Sequence, residues 1–366
     1  MRIALRRRLA GLAIAGFVVG LTGLGASIPG AGAAGLVTLN AAGATFPYPL
    51  YSRWFAEYNR LHPDVRINYQ SIGSGGGIAQ VQKGTVDFGA SDAPLSDQQL
   101  AAMGRPIVLI PTVAGAIAMT YNLPGVQTGI RLTSENVVDI YMGRTTKWSD
   151  AAIAANNAGT PLPDLAITVV HRSDGSGTTF HFTSFLSEVS KDWADKVGRG
   201  TAVEWPAGIG GKGNEGVAGA VKETPGAIGY VELAYVVQNR LAYAVVKNRA
   251  GQWVAPSLSS TTAAAAGGAQ KMVQTNDVRV SIAYAPGPNV YPIAGFTYLL
   301  VPQNQTDEVK GKALAQFLWW AIHDGEKDAP QLLYAPIPGS VVSIDERILK
   351  TITFQGSALL ASLAGR

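Results

Sequence analysis

The stretch HRSDGSGTTF, residues 171–180, follows a β-branched run at 167–170 and precedes a helix-like run at 182–186. This order predicts a strand, a glycine-rich turn and the start of a helix. The first turn of a helix has unpaired backbone N–H groups, and the helix dipole places partial positive charge there. Arg172, Ser176 and Thr178 add side-chain donors, so the stretch predicts a site for a tetrahedral oxyanion. On this stretch alone, a capped helix beside a surface arginine is the alternative.

An earlier turn near the start of the chain has the same order of elements. The segment AAGATFP, residues 41–47, follows a short predicted strand and precedes a predicted helix over Tyr48–Leu61. Thr45 offers both a hydroxyl and a backbone N–H to a ligand. The alternative is that Thr45 only caps the helix and that Phe46 belongs to the core.

Two further turns follow predicted strands. SIGSGGG, residues 71–77, carries Ser74 and precedes a short predicted helix over 78–83; its glycine spacing matches neither a dinucleotide-binding fingerprint nor a nucleophile elbow. SDAPL, residues 91–95, carries Asp92, which differs from the other turn residues because an ionised carboxylate only accepts hydrogen bonds. An exposed loop aspartate before a proline is the simpler interpretation of Asp92 taken alone.

Elsewhere the pattern of apolar residues predicts scaffold. Two separate strands are predicted at 107–110 and 115–119, and a capped helix is predicted over Ser134–Tyr141. An alanine-rich helix is predicted to end at the glycines of 267–268, since glycine commonly ends helices.

The first 33 residues have the layout of a secretory signal peptide. Arginines within the first eight residues precede an apolar run over 9–28, and Ala31-Gly32-Ala33 offers a small-residue site for cleavage before Ala34. A membrane anchor is the alternative, but five glycines in the apolar run favour cleavage. Paired arginines leave general secretory and twin-arginine export both open. We therefore expect a periplasmic protein.

Charge and cysteine content exclude several classes of function. Four of the 29 Lys and Arg residues lie in the leader, which leaves 25 against 25 Asp and Glu and no basic footprint for nucleic acid. With no cysteine, the chain has no disulfide, no thiol nucleophile and no cysteine for a lipid anchor. The four histidines lack metal-ligand spacing, so neither a cofactor nor a metal is expected. The 333 residues after the leader predict two domains.

Seven motifs occur in order along nearly the whole chain after the leader. They are AGATFP at 42–47, GSGGG at 73–77, VDFGASDAPL at 86–95, RSDGSGT at 172–178, WP at 205–206, GIGGKGN at 208–214 and PGAIGY at 225–230. Together they resemble the substrate-binding protein of the bacterial ABC phosphate importer, a family of periplasmic phosphate-binding proteins. Gly75 stands where the commoner family pattern has a second serine.

This resemblance implies an α/β, two-domain periplasmic-binding-protein fold, type II-like, with a hinge and a ligand cleft between the domains. Domain one would combine residues 34–111 with 292–366, and domain two would hold residues 112–291. The chain would cross the hinge near residues 111–112 and return near 291–292.

The resemblance also implies which residues bind the ligand. Residue by residue, the ligand groups fall on Thr45, Phe46 through its backbone N–H, Ser74, Asp92, Arg172, Ser176, Gly177 and Thr178. Asp174 resembles a family acid that pairs with the arginine and orients it. The implied function is to bind inorganic phosphate and to deliver it to the permease and ATPase subunits of an ABC importer. The resemblance implies that the protein does this as a monomer without a lipid anchor.

Two alternatives differ in the ligand or in the chemistry. A receptor of the same kind could bind sulfate or another oxyanion. A secreted phosphatase-type hydrolase would need a serine nucleophile and either a base or metal ions. His171 and His181 are the candidate bases, although strand alternation should point His171 away from the side of Arg172.

Overall fold

The computed structural model describes residues 35–360. The predicted leader and its cleavage site therefore lie outside the described residues. Between residues 35 and 360, no helix is both long enough and apolar enough to cross a membrane.

Strands and helices alternate along the described chain, as expected for an α/β protein. The strands are β1 (Val37–Gly43), β2 (Val65–Ser71), β3 (Phe88–Ser91), β4 (Ile107–Tyr121), β5 (Arg131–Leu132), β6 (Thr168–Arg172), β7 (Ile209–Gly211), β8 (Ala227–Glu232), β9 (Ala242–Tyr243), β10 (Val245–Lys247), β11 (Trp253–Val254), β12 (Ala294–Pro302), β13 (Asn304–Gln305), β14 (Ala335–Pro336), β15 (Thr353–Phe354) and β16 (Ser357–Ala358).

The helices pack around these strands, and a 3₁₀ helix spans Gly325–Leu332. The α-helices are α1 (Tyr48–Leu61), α2 (Ser74–Lys83), α3 (Asp97–Ala102), α4 (Ser134–Tyr141), α5 (Ala151–Ala154), α6 (Gly177–Val189), α7 (Lys191–Lys196), α8 (Gly213–Glu223), α9 (Leu233–Asn239), α10 (Leu258–Thr275), α11 (Glu308–Ala321) and α12 (Gly339–Leu349). The predicted bounds of α1 and α4 are confirmed.

Most of the strands of residues 35–360 form one ten-stranded sheet. Its main order is β2-β1-β3-β12-β4-β8-β6-β7, and β9 and β14 also pair with β4. β1 runs parallel to β2 and β3, and β6 runs parallel to β7 and β8, whereas β12 and β4 are antiparallel to each other and to their outer neighbours β3 and β8. Two parallel groups thus flank a central antiparallel pair. In parallel α/β sheets, ligands bind beyond the carboxyl ends of the strands, where the four predicted turns lie.

The prediction of two strands at 107–110 and 115–119 is wrong, because β4 is one strand of 15 residues. Its pairing with β12 shifts between Pro111, opposite Tyr298, and Val113, opposite Thr297. Thr112 is therefore the extra residue of a β-bulge. Proline is tolerated in a sheet at a bulge, where the ladder does not need its missing N–H, so Pro111 does not end the strand.

Two predictions about glycines are also wrong, for one physical reason. α2 begins at Ser74 rather than at residue 78, and α10 continues past residues 267–268 to Thr275. A Cβ on Gly77 would lie 2.6 Å from the Cα of Gly43, and one on Gly268 would lie 2.4 Å from a methyl carbon of Ile282. These glycines allow close packing of a helix, which outweighs their low helix propensity.

Candidate anion-binding site

Ser74 connects three of the four predicted turns. Its hydroxyl oxygen, at the start of α2, accepts the backbone N–H of Gly177 at 3.0 Å and that of Asp92 at 3.2 Å. Ser74 is fully buried, and Asp92 is 1 % exposed. The carboxyl ends of β2, β3 and β6 therefore deliver their turns to one buried point.

The fourth turn joins the same cluster through an asparagine. The hydroxyl oxygen of Thr45 accepts two hydrogen bonds from Asn214, one from the side-chain amide at 2.7 Å and one from the backbone at 3.1 Å. The same side-chain amide donates to the hydroxyl of Thr178 at 3.2 Å. All three residues are buried, so Thr45 lies beside the turn that contains Arg172.

Arg172 is held in place by a carboxylate. Its side chain is 1 % exposed; Nε donates to Asp174 at 2.7 Å, a second guanidinium nitrogen donates to the other oxygen of that carboxylate, and Nη1 donates to Thr178 at 3.3 Å. Burial opposes ionisation of Asp174, but the hydrogen bonds and charge of Arg172 hold the pKa of that carboxyl below its usual value. The pair fixes the guanidinium while Nη1 and Nη2 each keep one N–H for a ligand.

Asp92 is the single carboxylate among the predicted ligand residues. Thr297, on β12, donates its hydroxyl to Oδ1 of Asp92 at 2.8 Å. Burial raises the pKa of Asp92 to about 7, although the bonds from Thr297 and Ser74 and the charge of Arg172 oppose that rise. Near neutral pH this carboxyl can therefore act as an acceptor or, once protonated, as a donor.

The turns approach each other closely at two glycines, and at Gly177 no side chain fits without a shift of its neighbours. A Cβ on Gly177 would lie 2.5 Å from both Ser74 Oγ and Asp92 Cβ. Gly75 donates its N–H to the carbonyl of Gly175 at 2.8 Å, and a Cβ on Gly75 would lie 3.0 Å from the Cα of Gly175. Gly75, where the family commonly has serine, is thus part of a backbone-to-backbone contact across the site.

The candidate bases of the hydrolase alternative have hydrogen-bond partners other than the site serines. The ring of His171 stacks on Trp205 with centroids 4.9 Å apart. His181 is buried and its Nε2 pairs with the carbonyl of Phe296 at 2.9 Å; burial lowers its pKa to about 4. Within residues 35–360, neither histidine forms a hydrogen bond to Ser74 or Ser176.

Sequence reasoning missed two residues that organise this site. Asn214 ends the motif at 208–214, but only the fold shows that it contacts Thr45 and Thr178. Thr297 lies 205 residues from Asp92, and no local pattern marks it, because the contact arises from the pairing of β12 with β3 and β4. Phe46 has a fully buried side chain, so it belongs to the core while its backbone N–H lies in the turn.

The fold and the buried donor cluster define a receptor of the periplasmic-binding-protein class, and comparisons with known proteins agree. The PBP superfamily domain matches residues 29–324. The phosphate-binding protein PstS of Xylella fastidiosa (strain Temecula1) is 46 % identical over 84 % of this chain and 83 % of that protein. PstS of Pasteurella multocida is 43 % identical over 83 % of this chain and 88 % of its own length. The solved phosphate-binding protein from Stenotrophomonas maltophilia has a TM-score of 0.66 at 19 % identity, covering 90 % of this chain and 98 % of that one.

The chain belongs to the PBP superfamily and, within it, to the family of the phosphate-binding protein PstS. The resemblance stated from the motifs and the α/β periplasmic-binding-protein fold class are both confirmed.

Proposed function

We propose that this protein binds inorganic phosphate between two domains and delivers it to the permease and ATPase subunits of an ABC phosphate importer. The observation that supports this most directly is a buried set of donors around one carboxylate: the Arg172 guanidinium and the Ser74 hydroxyl lie beside Asp92, and the Ser74 oxygen accepts the N–H of Gly177. Donors suit an oxyanion, and the carboxylate suits a proton that the oxyanion carries. Its relatives are named for phosphate binding. Calorimetric titration with phosphate tests the proposal directly.

The proposed ligand groups are those that the motifs implied. Phosphate would receive hydrogen bonds from helix-start N–H groups, from hydroxyls and from Arg172, and would give one to Asp92, while Asp174 orients Arg172. The full set is Thr45, Phe46 (N–H), Ser74, Asp92, Arg172, Ser176, Gly177 and Thr178. The proposed receptor is a monomer without catalytic activity, a cofactor or a lipid anchor, and it is exported by its predicted leader.

We further propose that residues 34–111 with 292–366 form one domain and residues 112–291 the other. The β-bulge at Thr112 supports a hinge there, because bulges bend and twist a strand locally. Contacts between the two proposed domains, such as Gly177 to Ser74 and Asn214 to Thr45, correspond to a closed cleft.

Phosphate should make the protein more compact in solution. Ligand favours the closed form through contacts that the open form lacks, so the radius of gyration from small-angle scattering should fall when phosphate is added. Gly177→Ala should weaken this compaction, because the new methyl group would lie 2.5 Å from Ser74 Oγ. Gly219→Ala is the matched control, since a Cβ there meets nothing within 4 Å. Identical scattering with and without phosphate would contradict closure.

Sulfate should compete with phosphate in acid but not in alkali. Because burial raises the pKa of Asp92 to about 7, this carboxyl is protonated below that pH and can donate to a sulfate oxygen, whereas above it the carboxylate repels sulfate. Competition of sulfate against labelled phosphate should therefore appear at about pH 5.5 and vanish at about pH 8.5. The asparagine of Asp92→Asn cannot titrate, so this variant should show no such change. If sulfate competition in the wild type does not depend on pH, titration of Asp92 does not control it.

The two alternatives are less well supported. A sulfate receptor has no use for a buried carboxylate facing its ligand, since sulfate carries no proton near neutral pH. A serine hydrolase needs a base in contact with the serine, and the two candidate histidines bond elsewhere: His171 to the carbonyl of Arg172 and His181 to that of Phe296.

A further inference from the structure

Asn214 is fully buried at the start of α8, and all of its hydrogen-bonding groups are in use. Its backbone N–H and one amide N–H go to Thr45 Oγ1, the other amide N–H goes to Thr178 Oγ1, and its Oδ1 accepts the backbone N–H of Glu232 at 2.9 Å. The bond from Glu232 determines which end of the amide carries oxygen. The amide nitrogen therefore faces both threonines.

These bonds determine where the two hydroxyl protons can point. A hydroxyl oxygen has two acceptor positions and one proton. Asn214 fills both acceptor positions of Thr45 Oγ1, and Asn214 together with Arg172 fills those of Thr178 Oγ1. Within residues 35–360, neither hydroxyl donates a hydrogen bond to a protein acceptor. Each proton is thus free for a ligand, and each hydroxyl can meet that ligand only as a donor.

We propose that Asn214 is a positioning residue that commits the hydroxyls of Thr45 and Thr178 to donation and thereby confines the ligand's proton to the side of Asp92. The inference rests on the proposed phosphate function and deepens it. Two committed donors require unprotonated ligand oxygens, while Asp92 accepts from a protonated one. The arrangement selects an oxyanion that carries one proton, the monohydrogen phosphate dianion, over the dihydrogen monoanion.

A double-mutant cycle distinguishes this positioning role from a purely structural one. Asn214→Leu should lower phosphate affinity about 10- to 100-fold in the wild-type background. In the Thr45→Val and Thr178→Val backgrounds the loss should be smaller by about tenfold, because one hydroxyl is no longer there to be oriented. A structural defect would cost the same in every background, and that result would overturn the proposal.

Two further variants keep the test decisive. Aspartate has the shape of asparagine, so Asn214→Asp completes the cycle if the leucine variant does not fold. Its carboxylate would accept hydrogen bonds from the two threonine hydroxyls and turn their protons away from the ligand.

Asn157→Leu is the matched control. Asn157 is also buried and forms hydrogen bonds with Arg131 and Ile153, so the effect of this substitution should not change when Thr45 is valine. If the wild type fails to bind phosphate, the proposed function fails; if it binds and the cycle is additive, only the role of Asn214 fails.

Discussion

Asp92→Asn should allow sulfate to displace phosphate at alkaline pH, where the unaltered protein should ignore sulfate. Phosphate near neutral pH carries a proton that the Asp92 carboxylate can accept, whereas sulfate leaves that carboxylate unpaired and facing like charge. Sites built to pair a ligand hydroxyl can reject analogues that lack it by about 10⁴–10⁵. Asparagine donates as well as accepts hydrogen bonds, so the preference for phosphate over sulfate should fall by far more than phosphate affinity does. Displacement of labelled phosphate by sulfate measures how strongly sulfate competes in the wild type and in the variant.

Asp174→Asn provides the matched control for this substitution. Asp174 belongs to the same cluster, but its carboxylate is occupied by Arg172 and by the N–H of Gly213. Its replacement should weaken phosphate binding by loosening Arg172 without admitting sulfate. If Asp92→Asn excludes sulfate as strictly as the wild type does, Asp92 is a loop residue and not the discriminating group.

Arg172→Ala should weaken phosphate binding by about 2–4 kcal/mol, or roughly 30- to 1,000-fold. The variant keeps the helix-start N–H groups but loses the two guanidinium N–H groups left free by Asp174 and Thr178. It also leaves Asp174 partly buried without its cation, which adds repulsion toward an anion. Calorimetric titration measures the loss.

Arg279→Ala is the control for removal of a paired arginine. Arg279 forms ion pairs with Asp277 and Asp97 outside the proposed site, so phosphate affinity should stay unchanged. Arg172→Lys should bind between the wild type and the alanine variant, because lysine keeps the charge without the planar fork. An alanine variant at 172 with wild-type affinity would show that this arginine only supports the fold.

The sequence could predict the turns because their signals are local. A strand, a glycine-rich turn and a helix start follow one another within about ten residues at Arg172, Thr45 and Ser74, and the structure brings these turns together. The sequence could not predict that Thr297 lies beside Asp92 or that Asn214 lies between Thr45 and Thr178. Those contacts depend on strand register and on the packing of helices that are far apart in the sequence.

Glycine was the main source of error in predicting the elements. Gly77 and Gly268 read as breaks in the sequence, but in the structure they lie inside helices, where a backbone or side chain approaches too closely for any other residue. Pro111 likewise reads as a strand end, although the bulge at Thr112 lets β4 continue. In each case tertiary packing outweighed a local propensity.

The continuity of β4 also bears on how long the protein survives among proteases. Pro111 and Thr112 are buried within a paired strand, and Tyr291 and Pro292, at the proposed return crossing between domains, are buried as well. Proteases cut extended, accessible segments such as exposed loop tips, and neither of the two proposed crossings offers one. If the two proposed domains bend about these segments, the receptor does so without presenting a cleavable linker, and degradation would have to begin elsewhere on its surface.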